Sequence, residues 1–364
     1  MRAVVVREAG AGPEIAGVLP AEAGRRGVRV QIAAAGVCHS DLSMTDGTLR
    51  APYPLVLGHE ASGTVIDAGP EVTRVAPGDH VVLNWAPACR ACWFCLHGEP
   101  WLCRATEGVT ARPAGRLADG TPVHACLGVG AFAEEIVVPE RAVVPLPGGI
   151  APDVAALLGC AVLTGVGAAW RTAGVRAGES VVVIGLGGVG LSAVAGAALA
   201  GAGPVIAVDS ATGKEPLARA MGATCFLAAG EDLPARVRAL TGGRGADHAL
   251  ECVGTAATIR AAWRCLRRGG RCTIVGVGGA DQQVSFAAIE LFHFARTLTA
   301  SVYGSSDPDR DLPALAEHVR SGRLDLRPLV SHRIGLGEVG EAFARMRSGT
   351  GARSLIVLGE SPAG

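Results

Sequence analysis

The sequence has no surplus of charge of either sign: Lys+Arg and Asp+Glu are both 33, and the formal net charge is zero. Composition therefore gives no basic face for a nucleic acid or other polyanion. It also lacks an N-terminal apolar run of signal-peptide length. MRAVVVREAG is too short and charges interrupt it, so a cytoplasmic location is expected. Fixed-period repeats and low-complexity linkers are missing as well. One stretch, Ser180 to Val208, holds no charged residue and is long enough to span a bilayer. It is dense in glycine, contains Pro204 and opens on the β-branched run VVVI, so a buried strand, turn and helix explain it better than a membrane span. Lysine is almost absent. Lys214 stands alone, and every other Lys/Arg position is arginine.

What is present is size, apolar material and glycine. The chain has 364 residues, 49% of them hydrophobic, enough for two domains with their own cores. Its 52 glycines favour tight turns and close backbone approaches over a helical bundle. Residues 1 to about 150 read as short β-type runs (AVVV, VRVQIAAAG, ASGTVIDAG, HVVL, AEEIVV) broken by Gly and Pro, which predicts an antiparallel, barrel-like domain. From about 150 to 300, strand-like VVVIG, VIAVD, CFLAA, HALECVG and CTIVGVG alternate with helical stretches, which predicts parallel βαβ units. The tail from about 303 ends in strand-like SLIVL, so the doubly wound unit is inserted between two parts of a β-rich domain.

Gly185-Leu186-Gly187-Gly188-Val189-Gly190 fits G-x-G-x-x-G. Alone the motif is weak. Here it follows a β-branched strand, opens a helix, and is followed about twenty residues later by Asp209 at a strand end, the context for dinucleotide binding. The glycines let the backbone approach a pyrophosphate, and the helix N-terminus offers N–H donors. Asp209 would accept hydrogen bonds from both adenosine ribose hydroxyls and repel a 2′-phosphate, favouring NAD over NADP. Lys214 falls where the adenosine end would lie.

Eleven cysteines without a secretory signal favour metal ligation or catalysis over disulfides. Cys89, Cys92, Cys95 and Cys103, in PACRACWFCLHGEPWLC, have the spacing C-x2-C-x2-C-x7-C. A ferredoxin-type cluster would place three residues before the last cysteine and a proline after it; here there are seven, then Arg104. A closed tetrahedral zinc site pinning a lobe that has no core of its own suits the spacing. A second, dispersed set comprises Cys38 in CHSD, His59 in GHE and Cys160 in LLGCAVLTG. Two thiolates and an imidazole can hold zinc with a fourth position open. The spacing of this set is weak evidence, since a buried cysteine is more often core. Cys126, Cys225, Cys252, Cys265 and Cys272 are expected as small core residues, and His293, His318 and His332 as surface or satisfied histidines.

GVCHSDLS, PLVLGHEASGTV, the four-cysteine lobe, LLGCAVLTG, VVVIGLGGVGL and SGTGARSLIVL occur in this order over essentially the whole chain. Together they resemble the zinc-containing medium-chain alcohol dehydrogenases. That resemblance implies a GroES-like β-barrel catalytic domain (1–161 and 303–364, with the zinc lobe at about 86–104) and a Rossmann, doubly wound parallel-sheet NAD-binding domain (162–302). It implies two zinc ions per subunit, a catalytic one at Cys38, His59 and Cys160 with Glu60 beside it, and a structural one at Cys89, Cys92, Cys95 and Cys103. By the same resemblance Asp41 holds the other ring nitrogen of His59, Ser40 takes the alcohol proton, and Trp85 walls the substrate pocket. His39 and Arg353 match positions near the pyrophosphate; Thr164, Val189, Val275 and Val277 match positions around the cofactor. The implied reaction is reversible hydride transfer between a primary alcohol, or its aldehyde, and NAD(H).

Two positions depart from the family pattern. Ser43 stands where many members carry a proton-relay histidine, so the relay ends in water or uses another base. Glu107 stands where glutathione-linked formaldehyde dehydrogenases carry an arginine. LLGCAVLTGVGAA and VYG look similar to the mycothiol-linked formaldehyde dehydrogenases, which makes a thiol-dependent enzyme one alternative. A biosynthetic carbonyl or iminium reductase is a second, and a non-catalytic binding protein on the same fold a third. RCTIVGVG and LTASVYG resemble the family's dimer-forming region, so a homodimer or homotetramer is expected, with a small-molecule substrate and neither a nucleic-acid nor a membrane partner.

Overall fold

The computed structural model describes residues 1–111 and 113–358. The chain divides into two compact units. Among the described residues, the first comprises Met1–Cys160, Asp307–Gly322 and 330–358; the second comprises Ala161–Ser306 and Arg323–Leu329.

In the first unit five short strands close into a barrel, in the order Arg2–Val6, Glu14–Pro20, Pro113–Leu117, Pro122–Ala125 and Leu55–Val56. Beside it lies a sheet ordered Val143–Pro145, His80–Leu83, Glu60–Ala68, Gly27–Gly36, Arg353–Val357 and Val330–Ile334, with Glu135–Pro139 also paired to Gly27–Gly36. Valine and isoleucine supply most of its buried faces: Val28, Val30, Ile32, Val65, Val81 and Ile136 are at most 3% exposed. β-Branched side chains fill a pleated surface well. Gly36 and Glu60 are cross-strand partners, and a Cβ on Gly36 would come within 1.9 Å of Glu60 Oε1. Glycine there is what lets the buried carboxylate lie across the strand.

The second unit holds six parallel strands in the order Cys225–Ala228, Val205–Asp209, Val181–Ile184, Ala246–Glu251, Leu266–Ile274 and Thr297–Ala300. Numbered along the chain this is 3-2-1-4-5-6, the dinucleotide-binding order. Val181–Ile184 is buried at every position, as the central strand of a sheet covered on both faces must be. Ser180–Val208 resolves into that strand, a turn, the helix Gly188–Leu199 and the strand Val205–Asp209. Among the described residues one helix, Pro152–Ala173, is apolar and long enough to cross a membrane, but 78% of its most apolar window is buried inside the protein, as in a core helix.

Candidate active site and metal centres

Cys38 caps a seven-residue helix, His39–Thr45. Asp41, three residues on, folds back so that its Oδ2 accepts the Cys38 N–H at 2.9 Å. A carboxylate at this position satisfies a donor that a helix start leaves orphaned. The same turn carries Oδ1 to the Gly58 N–H, at 3.0 Å, and to His59 Nδ1, at 3.1 Å. Local helix capping thus sets the orientation of a histidine eighteen residues away. Cys160 arrives from a π-helical turn, Leu158–Val162, within a helix. Such turns occur often at functional sites because they push one side chain out of helical register.

Cys38 Sγ, His59 and Cys160 Sγ converge with their donor atoms within 4.8 Å of one another, and all three residues are buried. Cys160 Sγ lies 3.4 Å from His59 Nε2. Tetrahedral zinc, with Zn–S of about 2.3 Å and Zn–N of about 2.0–2.1 Å, sets S and N roughly 3.6 Å apart. The donor set therefore fits that ion. The two thiols share a hydrogen bond: Cys160 donates to Cys38 and holds it well below the usual thiol range, while Cys160 itself is held well above it. Burial pulls His59 towards the neutral form, but the Asp41 carboxylate outweighs it and the imidazole titrates well above its usual value. Ser40 is half-buried, its Oγ 3.9 Å from Cys38 Sγ. The Trp85 ring stands edge-on to His59, with centroids 6.5 Å apart at 89°.

The second cluster joins Cys89, Cys92, Cys95 and Cys103. Its sulfur separations are 3.6 Å (Cys92–Cys95), 3.8 Å (Cys92–Cys103) and 4.0 Å (Cys89–Cys95). An S4 zinc site sets them about 3.8 Å apart. Backbone N–H groups already point at the sulfurs: Cys92 and Ala91 donate to Cys89 Sγ, and Cys89 and Ala105 donate to Cys103 Sγ. Such donors stabilise thiolates, and hydrogen bonds from the Cys95 and Arg104 amides lower the Cys92 thiol to about 6.

In the second unit the glycine turn joins Val181–Ile184 to Gly188–Leu199. A Cβ on Gly190 would sit 1.8 Å from Gly185 O, so the turn closes only with glycine there. Asp209 Oδ2 accepts the Leu186 N–H at 2.7 Å and Oδ1 the Ala211 N–H at 2.9 Å; Lys214 Nζ lies 3.3 Å from Oδ2. The carboxylate braces the turn and pairs with the chain's single lysine.

Residues 24–148 match the family model "Alcohol dehydrogenase GroES-like domain", and residues 188–321 match "Zinc-binding dehydrogenase". The chain is 37% identical over 338 residues to an NDMA-dependent alcohol dehydrogenase of Amycolatopsis methanolica, covering 91% of each. It is 36% identical over 365 residues to an S-(hydroxymethyl)glutathione dehydrogenase of Synechocystis, covering 98% of this chain and 99% of that one. The crystal structure of benzyl alcohol dehydrogenase from Acinetobacter calcoaceticus superposes with a TM-score of 0.90 at 28% identity, over 98% of this chain and 99% of that one. The chain belongs to the zinc-containing medium-chain alcohol dehydrogenases.

As an alcohol dehydrogenase of this family, its remaining expected site residues fall as follows. Glu60 is fully buried, and its Oε1 lies 3.4 Å from Arg353 Nε rather than among the three clustered donors. Arg353 is buried too, its Nη1 donating to Val37 O at 2.8 Å; within the first unit it pairs with Glu60, bonds the backbone and helps hold the Cys38 thiol low. His39 is exposed and Thr164 is half-buried. Val275 is 8% exposed, whereas Val277 is 68% exposed. Ser43 is half-buried on the Cys38 helix, and Glu107 is exposed. Cys265 and Cys272 are buried, as core residues should be.

Cys126 is different. It too is buried, but its Sγ lies 3.5 Å from Asp41 Oδ1 and 3.7 Å from His59 Nδ1. Burial first, then the Asp41 charge, pushes its thiol up to about 12. No spacing marks it in the sequence. Only the pairing of Pro122–Ala125 alongside Leu55–Val56 brings it there.

Proposed function

We propose that the protein is a zinc- and NAD-dependent alcohol dehydrogenase that interconverts a primary alcohol and its aldehyde. The convergence of Cys38, His59 and Cys160, with Asp41 behind the imidazole and Ser40 beside the first thiol, carries this reading. Cys38, His59 and Cys160 would hold one zinc ion and Cys89, Cys92, Cys95 and Cys103 another. Zinc at the first set supplies Lewis-acid polarisation of an alcohol or carbonyl oxygen. Asp41 accepts a hydrogen bond from the His59 Nδ1–H, which leaves the Nε2 lone pair free to bind an ion held with the two thiols. Ser40 takes the hydroxyl proton and hands it on, past Ser43, to water. NAD bound by the second unit would supply the hydride acceptor that oxidation of an alcohol to an aldehyde requires. The glycine turn would bind the pyrophosphate through backbone N–H groups, and Asp209 the adenosine ribose. Lys214 beside Asp209 would contact the same ribose.

The name of the Synechocystis relative favours a second reading, oxidation of the hydroxymethyl adduct of formaldehyde with a thiol. Exposed Glu107 disfavours glutathione, whose carboxylates it would repel. NADH formation with aliphatic, benzylic and terpenoid alcohols, and with formaldehyde with and without added thiols, separates the two. Thiol-independent turnover supports the first; saturation by formaldehyde only with a thiol present replaces it with the second.

We also propose a homodimer formed through the strand Thr297–Ala300. Among the described residues it pairs on one side only, with Leu266–Ile274, and lies at the end of the sheet order. Leu298 on it, and Ile289 and Phe292 on the preceding helix, are 40%, 68% and 84% exposed. An unpaired, apolar edge is a ready template for a second copy.

A further inference from the structure

Asp41, His59 and Cys126 form a third group of clustered donor atoms, all buried. It is not a second metal site. Asp41 has already spent Oδ2 on the Cys38 N–H and Oδ1 on the Gly58 N–H and His59 Nδ1. What remains is a thiol facing the shared oxygen. Cys126 Sγ has three polar or polarisable neighbours: Asp41 Oδ1 at 3.5 Å, Met44 Sδ at 3.5 Å and His59 Nδ1 at 3.7 Å. His59 Nδ1 donates to Asp41, so it cannot accept the thiol proton. A carboxylate is a better acceptor than a thioether, so the S–H points to Asp41 Oδ1.

We propose that Cys126 is a positioning residue for the His59 metal ligand. Its thiol donates to Asp41 Oδ1, and its sulfur, with Met44, keeps water off the Nδ1 side of the ring. Asp41 is thereby held with a fixed set of donors, and the imidazole stays in one tautomer and one orientation. The backbone geometry that places Cys126 is independent of its side chain. The Ala131 and Phe132 N–H groups bond Gly58 O and Leu57 O, and the Val129 and Gly130 N–H groups bond Cys126 O. Substitution of the thiol therefore leaves the turn in place.

The inference rests on the reading of Cys38, His59 and Cys160 as a zinc site, and the four-cysteine lobe offers a control in the same molecule. Zinc release to a chromogenic chelator is followed in the intact protein and in Cys126→Ala, Cys126→Val and Cys126→Ser. Serine restores a donor; valine fills the space without one. Loss of an outer partner of a ligating histidine typically weakens metal binding 10- to 100-fold. One release phase is therefore expected to quicken about tenfold in the Ala and Val variants, to return near the wild-type rate in Ser, and to leave the other phase unchanged. Equal rates in all four proteins, or Val behaving like wild type, overturns the role of the thiol hydrogen bond. Acceleration of both phases together overturns a local role. If the wild-type protein itself releases a single zinc, what fails is the zinc-site reading beneath the proposal.

Discussion

Three atoms of Asp41 and His59 decide how the imidazole faces the thiols, and one of them, Asp41 Oδ1, accepts from both Gly58 and the ring. Asp41→Asn keeps the size and removes the charge, and is expected to weaken zinc at Cys38, His59 and Cys160 by 10- to 100-fold while sparing the lobe, as read by competition with a chelator. Gly36 is the second residue on which the site depends. Gly36→Ala drives a methyl into Glu60 and its ion pair with Arg353, and is expected to cost about 1–3 kcal/mol in thermal or denaturant unfolding. In the lobe, the metal-stripped protein makes a pH prediction. With its thiol lowered to about 6, Cys92 is a thiolate above that pH and a thiol below it. Burial first, and then the Cys92 thiolate, raise Cys95 to about 12. Iodoacetamide should therefore label Cys92 with a rate that rises through pH about 6, while Cys95 stays unreactive at neutral pH. Mass spectrometry of the alkylated peptide reads both.

At the level of elements, the lobe is tied to the helix Pro308–Arg320. Arg90, in a left-handed conformation between Cys89 and Cys92, forks onto Asp307 at 2.5 and 2.8 Å and onto Asp309 at 2.5 Å; Arg74 also reaches Asp309. Arg90 is 41% exposed, so the network is worth only about 1 kcal/mol. Arg90→Ala should lower the unfolding midpoint slightly and quicken zinc loss from the lobe. In the parallel sheet, Asp247 is held at about 2: burial raises it, but the Ser180 hydroxyl and amide and Arg267 outweigh that. A depressed carboxylate stabilises the fold above its unfolded pKa of about 3.9 and loses that contribution as pH falls through its folded value. Asp247→Asn should therefore cost about 2 kcal/mol at neutral pH, a gap that closes between about pH 4 and pH 2 in urea unfolding at fixed pH.

The elements were legible where pattern and chemistry agree. VVVI before a glycine turn with Asp209 beyond it can be little else, and four cysteines within fifteen residues announce themselves. Cys38, His59 and Cys160 were legible only through the order of their motifs, because spacing alone does not bring residue 160 to residue 38. Cys126 was not legible at all. In the sequence it is a small apolar residue in a glycine-rich turn, and its contact with Asp41 exists only because one short barrel strand lies beside another. The Arg90 clamp was hidden for the same reason, since its partners lie more than two hundred residues away.

At the scale of the whole molecule, one unit gathers the two cysteine-rich clusters that could hold metal, and the other presents the glycine turn and Asp209. In the proposed homodimer the exposed strand Thr297–Ala300 is the edge that meets its own copy. Leu298→Lys on that edge is expected to shift the native mass towards monomer in light scattering, and an unchanged mass would place the interface elsewhere. Zinc per subunit, measured on purified wild-type protein and on Cys160→Ala, tests the zinc-site reading most directly. Two zinc ions in the wild type and one in the variant, with loss of alcohol-dependent NADH formation, is the result predicted. One zinc in the wild type, or two retained in Cys160→Ala, would contradict it.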